Sequence, residues 1–185
     1  METFKTIEAR KSVRRYLDKP VEDNSINKIV QAGTMAASSA KLHFTVITNH
    51  DVLAAVAEET KRRFLASGNN FLVQTASVAG FNALYRAPLL IVVSALKGAS
   101  SKMLAANNIA SAACAAQNMM LAATDLRLGS CYLYGPSLAF EQQAIRRMAG
   151  IAVEDEVLAC VVFGHTDDTS PHTPRPPASN VRYCR

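Results

Sequence analysis

The chain has 185 residues, 49% of them apolar, and 20 lysines and arginines against 15 acids give a formal net charge of +5. That is enough to bury a core, and one domain over residues 1–185 is expected. The longest nearly uninterrupted apolar run, residues 87–96, is far short of the roughly 20 residues of a membrane span, and the first residues lack a secretory apolar core; a soluble cytoplasmic protein is the expectation.

In chain order, Phe4 and Ile7 mark a short helix-like segment. Residues 23–35 then place Ile26, Ile29, Val30 and Gly33 at helical spacing, and residues 51–64 repeat the pattern with Val52, Ala55, Val56 and Ala57. Residues 44–48, 89–94, 131–134 and 157–163 are short runs rich in valine, isoleucine and aromatics, which reads as four strands. Helices between strands make the class mixed α and β. Residues 104–126 are apolar or small nearly all round, with nine alanines, and a helix without a wet face must be covered on several sides. A chain this small favours a second copy over its own core as that cover, because small side chains permit close approach. The proline-rich stretch 171–177 lies in an extended arm over residues 170–185.

The eight glycines never fall at the spacing of a dinucleotide fingerprint or a phosphate loop. His43, His50, His165 and His172 make no metal-ligand pair, no serine sits in a nucleophile elbow, and Cys114, Cys131, Cys160 and Cys184 stand apart as reduced, mostly buried thiols. No metal and no catalytic side chain are expected. What remains is the run Arg10-Lys11-Ser12-Val13-Arg14-Arg15, four cations and a hydroxyl within six residues. Forked guanidinium donors beside a serine suit a phosphate monoester, although such a run also suits a solvated face. A basic nucleic-acid-binding module would use the same residues, but interleaved aromatics and a recognised motif are missing, so no nucleic acid is expected.

Taken together, five motifs resemble the nitroreductase family of flavoproteins. They are Arg10-Lys11-Ser12-Val13-Arg14 with Tyr16 and Lys19-Pro20-Val21, then Ala36-Ala37-Ser38-Ser39-Ala40, then Tyr85-Arg86-Ala87-Pro88. The fourth is Gln117-Asn118 with Leu126-Arg127-Leu128-Gly129-Ser130-Cys131, and the fifth is Phe163-Gly164-His165 with Pro174-Arg175-Pro176.

The resemblance implies an α+β sandwich of a mixed four- to five-stranded sheet flanked by helices, in an intertwined homodimer with FMN at the interface. It implies that Arg10, Ser12 and Arg175 grip the phosphate, with Lys11 in the same group. Arg14 and Asn82 would lie at the pyrimidine edge of the flavin, and Ala37, Ser38 and Ser39 would come from the partner subunit. Tyr132, Leu133, Tyr134 and Gly135 would line one flavin face, the N–H groups of Tyr134 and Gly135 aimed at N5 and O4. Hydride would pass from NAD(P)H through N5 to a small acceptor such as a nitroaromatic or quinone. A flavin-binding sensor or carrier without turnover is the alternative. The chain departs from the family at Lys41, His43, Phe44 and Thr45, where asparagine, glutamine, proline and an aromatic are usual, which leaves the acceptor open.

Overall fold

The computed structural model of the protein describes residues 2–97, 102–170 and 181–184. Helix α1 (Thr3–Ala9) is followed by α2 (Asp23–Thr34), strand β1 (Leu42–Ile47), α3 (His50–Leu65), α4 (Asn70–Ser77) and β2 (Leu89–Leu96). Helix α5 (Lys102–Asp125), β3 (Gly129–Leu133), a 3-10 helix (Gly135–Glu141), α6 (Gln143–Ala149) and β4 (Asp155–Gly164) complete it. All four strands and the three long helices read from the sequence are present. Their ends move by at most two residues, because strand pairing and caps set the ends while residue pattern marks only the middle.

The sheet order is β1-β2-β4-β3, with every neighbouring pair antiparallel. The sheet expected to be mixed therefore has four antiparallel strands among the described residues, and its parallel component is the single bridge between Ser12 and Ser130. β2 and β4 are central and buried on both faces, which explains their unbroken apolar runs.

Alternation along those strands builds two cores. Leu90, Val92, Cys160 and Val162 face α3, the 3-10 helix and α6, where they meet Val56, Phe140 and Ile145. Leu89, Ile91, Val93, Val161 and Phe163 face α2 and α5, where they meet Ile29, Ala116 and Met119. Gly33 lets α2 close on this second layer: a Cβ there would sit 2.9 Å from Met119 and 2.9 Å from Phe44.

Helix α5 buries Ala112, Ala115, Ala116, Met119 and Ala123 against the sheet, while Met103, Ile109 and Cys114 on its other side are exposed. Its apolar character thus divides into one covered face and one that this chain alone leaves open. Two of the four thiols are buried, Cys131 and Cys160, whereas Cys114 and Cys184 are exposed, so burial of the cysteines is less general than expected. No helix among the described residues is long and apolar enough to cross a membrane.

Candidate active site at the outer edge of the sheet

After α1 the chain runs beside β3, where the Val13 N–H donates to the Ser130 carbonyl at 2.9 Å and Ser12 bridges Ser130. Gly129 allows this approach, since a Cβ there would sit 2.9 Å from the Val13 side chain. The cationic run is therefore fixed against an edge strand. A second segment, residues 165–170, lies against it: the Leu17 N–H donates to the His165 carbonyl at 2.9 Å, and the Thr166 hydroxyl to the Arg15 carbonyl at 2.9 Å.

This packing divides the four cations into two kinds. Lys11 pairs with Asp168 at 3.3 Å and donates to the Asp168 and Ser170 carbonyls, at 3.1 and 2.5 Å. Arg15 pairs with Asp167 at 3.0 Å. Hydrogen bonds from Ser170, assisted by Lys11, hold Asp168 down at about 2. The guanidinium groups of Arg10 and Arg14 make no ion pair or hydrogen bond to any described residue. Lys11, expected among the cofactor contacts, is instead committed to the segment that clamps this run.

A cleft of about 700 Å³ opens here, lined by Ser12, Arg14, Arg15, Asp168, Thr169 and Ser170. The buried Ser130 hydroxyl has no hydrogen-bond partner among the described residues. Two uncommitted guanidinium groups beside the Ser12 hydroxyl are donors of the kind that a phosphate monoester requires. The residues present fit the terminal phosphate of a mononucleotide.

Deeper in, the Tyr16 hydroxyl donates to the Val13 carbonyl at 2.8 Å. Burial pushes its phenol well above the ordinary range; Cys131 and Tyr85 add to the rise and Arg14 opposes it. The Cys131 thiol is also raised by burial, against the opposing pull of Arg14, Ser12 and Arg10. Tyr16, Tyr85 and Cys131 belong to one packed cluster and Arg14 acts on both Tyr16 and Cys131, and of these four only Arg14 was named as a site residue from the sequence.

At the far end of β3, Leu133 is buried, while Tyr132 and Tyr134 are exposed by 39% and 80%. The strand ends at Leu133, one residue earlier than expected, and Tyr134 caps the 3-10 helix that Gly135 opens. As first residues of that helix, Tyr134 and Gly135 have no intrahelical acceptor for their N–H groups, and Pro136 has no N–H at all. Gly135 is pressed onto α3, where a Cβ would meet the Phe64 ring at 2.4 Å.

That part of α3 is braced by charge. Glu59, only 7% exposed, accepts from Arg62 and Arg63 at 2.6 and 2.7 Å, and Arg63 also reaches Glu141 at 2.6 Å. The Arg62 hydrogen bond, opposed by burial and supported by Arg63, holds the Glu59 carboxyl down at about 2.

The remaining expected residues lie elsewhere. The Asn82 side-chain oxygen accepts from the N–H groups of Leu84 and Arg86, at 2.9 and 3.0 Å, so it serves a turn. Ala37, Ser38 and Ser39 precede β1, at the opposite edge of the sheet from β3, and the Ser39 hydroxyl donates to Asn107 of α5 at 2.8 Å. One copy of the chain therefore does not bring them to the Arg10 cluster. Arg175 lies outside the described residues. His43 pairs with the buried Asp155 at 2.7 Å, and Ser94 donates to the same oxygen at 2.7 Å. Burial pushes Asp155 up, but these bonds and Arg146 outweigh it and the net direction is down. Among the described residues no cluster of three or more metal-ligating side chains occurs.

Fold and edge cleft together make an α+β sandwich with a cationic cleft along one edge of its sheet. A model of the Nitroreductase family matches residues 7–165, and the chain belongs to that family. It is 29% identical over 182 residues to a protein named NADPH-flavin oxidoreductase from Vibrio harveyi, covering 97% of this chain and 72% of the relative. It is similar, at 28% identity over 90% of this chain and 87% of the other, to a putative NADH dehydrogenase/NAD(P)H nitroreductase from Archaeoglobus fulgidus. A nitroreductase with bound FMN from Bacteroides fragilis superposes with a TM-score of 0.85 at 26% identity, covering 100% of this chain and 99% of that one. A second, from Desulfitobacterium hafniense, gives 0.85 at 22% and bears on the fold.

Proposed function

We propose that this protein is an FMN-dependent oxidoreductase that takes reducing equivalents from NAD(P)H and passes them to a small oxidised acceptor, a nitroaromatic or a quinone. One observation carries the reading: Arg10 and Arg14 stand uncommitted in the run that Ser12 fixes against β3. The names of the relatives, which speak of flavin, FMN and NAD(P)H, point the same way. The chemistry that bound FMN supplies is two-electron transfer through its N5.

The chain's part is to hold and orient. Arg10, Ser12 and Arg175 would take the phosphate, and Arg14 the pyrimidine edge, where a cation favours the charge gained on reduction. The N–H groups of Tyr134 and Gly135, fixed by the seat of Gly135 on Phe64, would face N5 and O4 without reorganisation. Protons for the acceptor come from water, so no side-chain acid is required.

The working unit we infer is a homodimer. Residues 37–39 and the β3 end lie at opposite sheet edges, and α5 leaves an apolar face open, so a second copy would cover that face and supply Ala37, Ser38 and Ser39. We place the activity in the cytoplasm, where NAD(P)H is held and thiols stay reduced.

Flavin titration tests the assignment. FMN binding should exceed FAD binding, because the donor set suits a terminal phosphate; equal affinity, or none, would end the reading. Steady-state NADPH oxidation with a quinone separates an enzyme from a flavin carrier, and parallel double-reciprocal lines are expected if donor and acceptor use one flavin face in turn.

A further inference from the structure

After β4 the chain reads Thr166-Asp167-Asp168-Thr169-Ser170, three hydroxyls around two carboxylates. Short polar side chains of this kind bond to backbone groups about two positions away and fold the chain into tight local turns. They do so here. The Thr166 hydroxyl accepts the Asp168 N–H at 3.0 Å while it donates to Arg15, and the Asp168 carboxylate accepts both the Ser170 N–H, at 2.9 Å, and the Ser170 hydroxyl. Lys11 closes the turn from the N-terminal run, through the Asp168 carboxylate and the carbonyls of Asp168 and Ser170.

The polar side chains of Thr166, Asp167, Asp168 and Ser170 are therefore all committed. Thr169 is the exception. Neither its hydroxyl nor its N–H makes a hydrogen bond to any described residue, and Thr169 lines the cleft together with Ser12 and Arg14. Because the residues on both sides of it are held, its two donors are presented from a fixed turn. The carboxylates of this segment do not oppose an anion there: Asp167 pairs with Arg15 at 3.0 Å and Asp168 with Lys11 at 3.3 Å, which leaves the charge of Arg14 in surplus.

We propose that Thr169 is a further ligand of the cofactor phosphate, its hydroxyl and N–H donating to phosphate oxygens from the second segment that lines the cleft, and that it contributes to the preference for FMN over unphosphorylated flavin. A phosphate monoester presents three strongly accepting oxygens, so guanidinium donors from one segment leave acceptor capacity that a hydroxyl and an amide from the other can fill. The site is then closed by two stretches of chain far apart in sequence. The inference rests on the reading of this cleft as the seat of the FMN phosphate.

The test is parallel titration of the full chain with FMN and with riboflavin, which lacks the phosphate, both read by flavin fluorescence. Thr169→Val removes the hydroxyl at nearly constant volume and should weaken FMN binding about 10-fold, the lower end for a hydrogen bond to a charged group, while riboflavin affinity stays within about twofold. Thr169→Ser keeps a hydroxyl and should bind FMN within about twofold of the natural protein. Unchanged FMN affinity in Thr169→Val overturns the contact, and so does an equal loss of FMN and riboflavin, which would make Thr169 a structural residue. A loss in Thr169→Ser as large as that in Thr169→Val overturns the hydroxyl as the donor. If the natural protein binds FMN no better than riboflavin, or binds neither, the phosphate reading of the cleft has failed and this proposal falls with it.

Discussion

Two runs of positive charge look alike in the sequence, Arg10 to Arg15 at the start and Lys61-Arg62-Arg63 near the end of α3. In the folded chain they differ. Arg62 and Arg63 converge on Glu59, and Arg63 continues to Glu141, so that cluster is used up in joining α3 to the 3-10 helix. At the start, Lys11 and Arg15 are consumed by Asp168 and Asp167, while Arg10 and Arg14 remain uncommitted. A cation that is already paired contributes to structure; one held rigidly without a partner is available to a ligand. Density of charge does not distinguish these cases, and availability does.

The largest effect that should separate them is electrostatic. A unit charge about 4 Å from the reduced flavin is worth roughly 4 kcal/mol at an effective dielectric of about 20, and exposure could halve it. Arg14→Ala should therefore lower the flavin midpoint potential by about 40 to 90 mV, whereas Arg62→Ala should leave it unchanged. A redox titration against a reference dye reads both, and an unchanged potential in Arg14→Ala with full flavin loading would return Arg14 to the class of solvated charges.

Next is the phosphate grip. Arg10→Ala removes charge-assisted hydrogen bonds, each worth about 1.5 to 3 kcal/mol, so FMN affinity should fall about 10- to 100-fold, more than in Arg14→Ala. Equal affinity in Arg10→Ala and Arg62→Ala, measured by fluorescence titration, would erase the distinction between the two runs.

The paired cluster has the converse signature. Glu59→Gln leaves two arginines without their shared carboxylate and should reduce unfolding stability by about 2 kcal/mol in urea. The pH dependence follows in sign. Glu59 is held at about 2 from an ordinary 4.5, so its contribution is present above about pH 4.5 and is lost as pH falls toward 2. Acid titration of stability should be shallower in the variant over that window; the same slope as in the natural protein would mean that the cluster contributes nothing.

Smallest is the clamp. Lys11→Ala frees residues 165–170 from the N-terminal run without removing a proposed ligand contact, so FMN affinity should drop only about threefold. A loss as large as that of Arg10→Ala would restore Lys11 to the phosphate site.

Much of the architecture was readable from residue order. Apolar periodicity located the long helices and runs of β-branched and aromatic residues located all four strands, because burial selects side chains at the period of a helix and a pleated surface favours those residue types. Motifs in order marked the family through Arg10, Ser12 and Gly129 to Ser130, whose close packing demands those residue types locally.

Only the tertiary structure decided which residues meet. Asp167 and Asp168 are more than 150 positions from Lys11 and Arg15, and no local pattern announces that they will neutralise half the cluster. The all-antiparallel order is likewise a matter of pairing between distant segments, and the spent oxygen of Asn82 belongs to a turn whose backbone angles the residue types do not encode. Periodicity and motif are carried by neighbours along the chain, so sequence alone determined the elements and the family. Pairing of charges, commitment of hydrogen-bond acceptors and orientation of side chains are carried by neighbours in space, and these settled which of the candidate residues are free to bind.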